Sequence, residues 1–118
     1  FAHRREDVLH LVKYIGEMQI SEIMEYLKHL AEDKPAIQDC LDLMLLWYRD
    51  VLLFKATRDT EQIIYREELF TIQKQAAERS FEALGHIIQS FGTVRTRLNA
   101  NVNFEASVEL LLLALQEK

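Results

Sequence analysis

Between Cys40 and Phe54 only Asp42, Arg49 and Asp50 carry charge, and the helical pattern around this run extends from about Pro35 to Ala56. A helix that is apolar on nearly all sides must be surrounded by other helices. This one stretch therefore predicts an all-α fold: a single compact bundle of about five to six helices around a central apolar helix. Trp47 and Tyr48 lie inside the run and belong to the core. Arg49 and Asp50 need partners or an exit to water, because an unpaired buried charge is costly.

The flanking pattern supplies the surrounding helices. Val8, Leu11, Val12 and Ile15 recur at helical spacing and stop at Gly16. Ser21 is placed to cap a second helix, whose stripe is Ile23, Leu27 and Leu30, and Glu32 to Pro35 closes it. Pro35 suits the first turn of the central helix, where its missing N–H is no loss. Thr57 to Gln62 is polar and predicts a loop. A fourth helix is expected over Ile63 to Ala77, with Tyr65, Leu69, Ile72 and Ala76 on one face. Ser80 caps a fifth that buries Phe81, Leu84, Ile88, Phe91 and Leu98, with Gly85 and Gly92 one heptad apart. Asn99 is expected to stop that helix and Asn103 to cap a sixth, about Phe104 to Gln116. Val108, Leu111, Leu112 and Leu115 form its face, while Leu110 and Leu113 carry apolar surface beyond that face.

Composition narrows the function classes. A chain of 118 residues that is 49% hydrophobic, with 3 glycines and 1 proline, is expected to form one helical domain with a real core. A formal net charge of −5 disfavours direct DNA binding or an anionic membrane surface. His3-Arg4-Arg5 and Arg95-Thr96-Arg97 are too small to reverse that balance. Cys40 is the only cysteine, which excludes an internal disulfide and favours a cytoplasmic protein. No apolar run is long enough to span a bilayer. The first residue is Phe, so the chain reads as a piece of a longer protein.

Catalytic chemistry has little support. Glu and His stand four residues apart at Glu6/His10, Glu25/His29 and Glu82/His86, which puts each pair on one helix face and raises a metal-dependent helical protein as an alternative. Yet His29 and His86 point away from the buried stripes, and bundle metal sites need inward ligands. There is no phosphate-binding glycine loop, and Cys40 has no nearby His. The expectation is a fragment that is not an enzyme and that uses no cofactor.

Two segments carry a resemblance. "LLWYRDVLLFKA" (Leu45 to Ala56), with Trp47, Arg49 and Asp50, resembles the central collar helix of the delta-prime subunit of the bacterial DNA polymerase III clamp loader. "VRTRLNANVNFEASVELLLLAL" (Val94 to Leu115) resembles that family's C-terminal joint and last helix. Arg95 and Arg97, then Asn101-Val102-Asn103, then Glu109 before Leu110 to Leu113 carry the match; Phe104 stands where the family commonly has Pro. The resemblance implies that residues 1–118 are a helical collar, an oligomerisation domain, with AAA+-type modules upstream in the full protein. Its implied role is to join the collars of the gamma/tau and delta subunits and hold the loader ring together during sliding-clamp loading in the bacterial cytoplasm. It implies Trp47, Arg49, Asp50, Arg95, Asn101, Asn103, Glu109 and Leu110 as motif and interface residues. The isolated fragment is then expected to be a monomer or a weak self-associate. Alternatives are a gamma/tau collar domain and a generic helical adaptor.

Overall fold

The structure, a computed structural model, describes residues 2–30 and 34–118. Among the described residues it has six α-helices and no strand: α1 (Ala2–Tyr14), α2 (Ile20–Leu30), α3 (Lys34–Thr57), α4 (Leu69–Glu78), α5 (Phe81–Asn99) and α6 (Phe104–Leu115). Single 3₁₀ turns, Ile15–Glu17 and Arg66–Glu68, follow α1 and precede α4. Glu32 and Asp33, and the side chains of His3, Arg4 and Leu30, on which some of the sequence expectations fall, lie outside the described residues.

The 24 residues of α3 form the axis of the bundle. Helices α1, α4 and α5 pack on it, and α6 lies against α5 and α2. Pro35 sits in the first turn of α3 as expected. Cys40, Leu41, Met44, Trp47, Tyr48 and Val51 on α3 are fully buried. They meet Val8, Leu11, Val12 and Ile15 from the first helix and its turn, and Leu84, Ile87 and Phe91 from α5, in one hydrophobic cluster. The dimensions, 39 × 30 × 24 Å with a Cα radius of gyration of 13.7 Å, match the ~13.5 Å of a compact chain of this length.

Several boundaries differ from the sequence expectation, each for a physical reason. The α1 stripe does end near Gly16, but no glycine has positive φ. The chain tightens into a 3₁₀ turn there instead of reversing through a left-handed glycine. Helix α2 begins at Ile20, so Ser21 is not its cap. Its entry is closed by Glu22, whose carboxylate accepts the Gln19 N–H at 3.1 Å, the returning half of a capping box.

The largest difference is at α4, which starts at Leu69 and not at Ile63. Residues 58–65 are held out of helix by Asp50. This carboxylate is only 2% exposed and accepts the Ile64 N–H at 3.1 Å on both oxygens and the Tyr65 N–H at 2.9 Å. The pinned backbone carries Ile63 and Tyr65 into the core without a helix. Tyr65 then donates its hydroxyl to the Leu43 carbonyl at 2.9 Å. The charge problem of α3 is thus resolved in two ways: Arg49 is exposed to water, and Asp50 is paired with backbone amides.

On α5, Ser80 caps as expected, accepting the Ala83 N–H at 3.0 Å. Phe81, expected in the core, is 53% exposed. As the first helical residue it stands outside the stripe, with the Lys55 ammonium 5.0 Å above its ring. Ile88 is half-buried, and Ile87 and Val94 complete the buried stripe.

Candidate functional site

The motif residues fall into an inner and an outer set. Trp47 is fully buried, and its Nε1–H donates to Gln75 Oε1 at 3.0 Å. The Gln75 amide nitrogen donates in turn to the Val12 carbonyl at 2.9 Å. One polar chain therefore ties α3, α4 and α1 together through the core. Trp47 and Asp50 act inside the bundle and present nothing to a partner. Arg49 is exposed on α3, about two helical turns beyond Asp42.

The outer set gathers on α5, α6 and the joint between them. Asn101 has φ of 59°, the left-handed region that Asn tolerates better than most residues. The Val102 N–H donates to the Arg97 carbonyl at 3.0 Å and the Asn101 N–H to the Leu98 carbonyl at 3.1 Å. These paired bonds are a Schellman closure of α5. The stopping residue is thus Asn101 and not Asn99, which is the last residue of the helix. Asn103 caps α6 as expected, its side-chain oxygen accepting the Ala106 N–H at 3.0 Å. Replacing Asn103 with Ala is expected to lower stability by ~1 kcal/mol, and with Asp or Ser by much less. Urea denaturation of the three variants checks this; equal losses would mean that Asn103 acts through some other contact.

The joint folds α6 back along α5. Val108, Leu111, Leu112 and Leu115 are buried, while Leu110 is 51% and Leu113 49% exposed. Between the helices runs a groove of about 360 Å³, floored by Val94, Leu111 and Ala114 and flanked by Leu110, Leu113 and Arg97. Ser107 lines it with a buried hydroxyl that has no hydrogen-bond partner among the described residues. Arg95 turns away to pair with Asp42 on α3, and Glu109 is exposed. A Cβ added at Gly85 or Gly92 would meet nothing within 4 Å, so no helix of this bundle approaches them. The outer side of α5 and α6 is therefore an uncovered surface, part apolar and part smooth.

The model of the family "DNA polymerase III, delta subunit, C terminal" matches residues 2–117. The chain belongs to that family. Comparisons with curated proteins and with solved structures found no match.

Within this DNA polymerase III family domain the Glu–His pairs do not converge. His10, His29 and His86 are all exposed. His86 Nδ1 meets Glu117 beyond the end of α6 and not Glu82, and the His10 ring stacks on Tyr26 at 6.0 Å. Among the described residues no group of three or more His, Cys, Asp or Glu is placed to hold a metal ion. No helix of the described residues is long and apolar enough to cross a membrane. Two groove features were missed in the sequence, the Ser107 hydroxyl and the pairing of His86 with Glu117. Ser107 had a readable signal, a serine beside the buried stripe of α6. The pairing of His86 with Glu117 had none, since it depends on how α6 lies on α5.

Proposed function

We propose that this domain is the collar of a delta-prime-type clamp-loader subunit, and that the outer face of α5 and α6 joins it to neighbouring gamma/tau and delta collars. Family membership over nearly the whole chain supports a DNA polymerase III assembly role. The delta-prime assignment rests on the Arg95-Thr96-Arg97 and Asn101-Val102-Asn103 pattern. The observation that carries the surface is the pair of half-exposed leucines, Leu110 and Leu113, beside the α5–α6 groove. Large apolar side chains left out on a well-packed helix are what an interface core covers. On this reading the domain hydrolyses nothing, takes no cofactor and binds no DNA directly. It holds a ring together while ATP-driven AAA+ modules upstream in the same subunit move.

The test is co-elution of the domain with purified gamma/tau and delta collar domains, beside the same run with Leu110→Asp. Leu110 is half out of the bundle, so the charge leaves the fold intact. The expected result is binding by the natural chain and its loss in the variant. No co-elution at tens of micromolar removes the assembly role. Co-elution that survives the charge moves the interface off α6.

A further inference from the structure

A second site lies where the joint between α4 and α5 meets the turn after α1. Arg79 is the joint residue, and it is only 6% exposed. Its guanidinium stands 5.6 Å over the ring of Tyr48 on α3, and its Nη1 donates to the Glu117 carbonyl at 2.6 Å. A buried cation is ordinarily matched by a carboxylate. Among the described residues Arg79 has none, and that single carbonyl is its only acceptor. A guanidinium carries five donor hydrogens, so most of its capacity is unused. Its remaining nitrogens are not among the sealed, unpartnered atoms of the core, which are Tyr48 Oη, Arg95 Nε and Ser107 Oγ. Arg79 lines a cavity of about 220 Å³ together with Lys74, Lys118, Thr71 and the Gly16–Glu17 turn.

The unused donors of the buried Arg79 favour an anion. Lys13 also lines the cavity, but Glu68 engages its ammonium at 2.9 Å. Lys74, Arg79 and Lys118 then stand against Glu17, Glu78 and the terminal carboxylate of Lys118 in the 118-residue chain, so the preference for an anion rests on the unused donors of Arg79. The volume admits an oxyanion with several waters, a water's share of liquid volume being ~30 Å³. A flat carboxylate would be satisfied by the Arg fork alone. Here the donors come from four separate residues, Arg79, Lys74, Lys118 and Thr71, that line one cavity. That spread suits the tetrahedral oxygens of a phosphate group.

We propose that the cavity around Arg79 is a binding site for a phosphate group, with Arg79 as its fixed donor and Lys74 and Lys118 as its rim. The site shares Glu117 with the α5–α6 groove, but it does not depend on the assembly role.

The test is a titration of the ¹⁵N-labelled 118-residue chain with inorganic phosphate at constant ionic strength, followed by amide shifts, with sodium acetate and sodium chloride as parallel arms. The expected result is a saturable shift at Gly16, Lys74 and Arg79 with a millimolar Kd, tighter for phosphate than for acetate. Arg79→Gln should weaken binding about tenfold, the loss of one charge-assisted contact set. Because Arg79 also packs on Tyr48, that variant can lose its fold. Exposed Lys74→Gln is the companion, and it should weaken binding about threefold. Shifts that follow chloride equally, acetate binding as tightly as phosphate, or unchanged binding in a folded variant would each overturn the site.

Discussion

Replacing Trp47 with Ala is expected to cost ~3–5 kcal/mol, a large part of the stability of a domain this size. The side chain is fully buried and packs against Tyr65 with ring centroids 5.8 Å apart. Its removal empties the axis of the bundle, and it also strips Gln75 of its donor. Trp47→Phe separates the two effects. The ring fills most of the space, but Gln75 Oε1 is left buried and unsatisfied, a loss of ~1–3 kcal/mol. Urea melts followed by far-UV circular dichroism measure both, since the only tryptophan fluorophore is gone. A Phe variant as stable as the natural chain would show that the Trp47–Gln75–Val12 chain adds nothing beyond packing.

The second large effect is expected at Asp50. Asp50→Ala leaves the Ile64 and Tyr65 amides without their acceptor, which should cost ~2–4 kcal/mol. The loop over residues 58–65 should then exchange its amide protons far faster. Asp50→Asn retains one oxygen and should lose less, but its NH₂ would face an amide donor. The pH dependence runs opposite to that of a surface salt bridge. Burial raises the pKa of Asp50, and the amides of Tyr65 and Ile64 offset that only in part. The folded state therefore holds the proton more tightly than the unfolded chain does. As pH falls through the folded pKa toward the ordinary aspartate value, Asp50 adds stability; as pH rises through the same window, that gain is lost. The natural chain should gain on Asp50→Asn in acid. A gap that widens against the natural chain on acidification would mean that the amide bonds outweigh burial.

These two residues also show what could be read without coordinates. The position of α3 was legible because its apolar run leaves no other place for it. Its bounds came out within a residue of the expected ones, at Lys34 and Thr57. The start of α4 was not legible, because a carboxylate on α3 decides it by taking two amides 14 and 15 residues away. Periodicity cannot show such a bond: Tyr65 fits the α4 stripe in spacing and lies in the core, yet its backbone is not helical. The Asn-rich joint was legible as a joint. Which asparagine takes the left-handed position was not, since three chemically equal residues compete and the bond from Val102 to Arg97 selects among them. On the outer face, Leu110 and Leu113 were marked by apolarity in excess of one stripe. Arg79 had a weaker signal: it continues the Ile72–Ala76 stripe, where a cation has no reason to stand unless something there uses it.

The packing of α2 has a consequence for the chain as it is made. Its buried residues are Ile23 and Leu27; the helix packs on α6 as well as on α3 and α1, and Lys28 reaches Glu105 across the α2–α6 contact. At roughly 5–20 residues per second, the α6 residues leave the ribosome several seconds or more after α2 does. During that delay α1 and α2 can already settle on α3, while the side of α2 that α6 covers stays open. That side of the second helix is therefore open to chaperones and proteases during synthesis, and α6 is what ends its exposure.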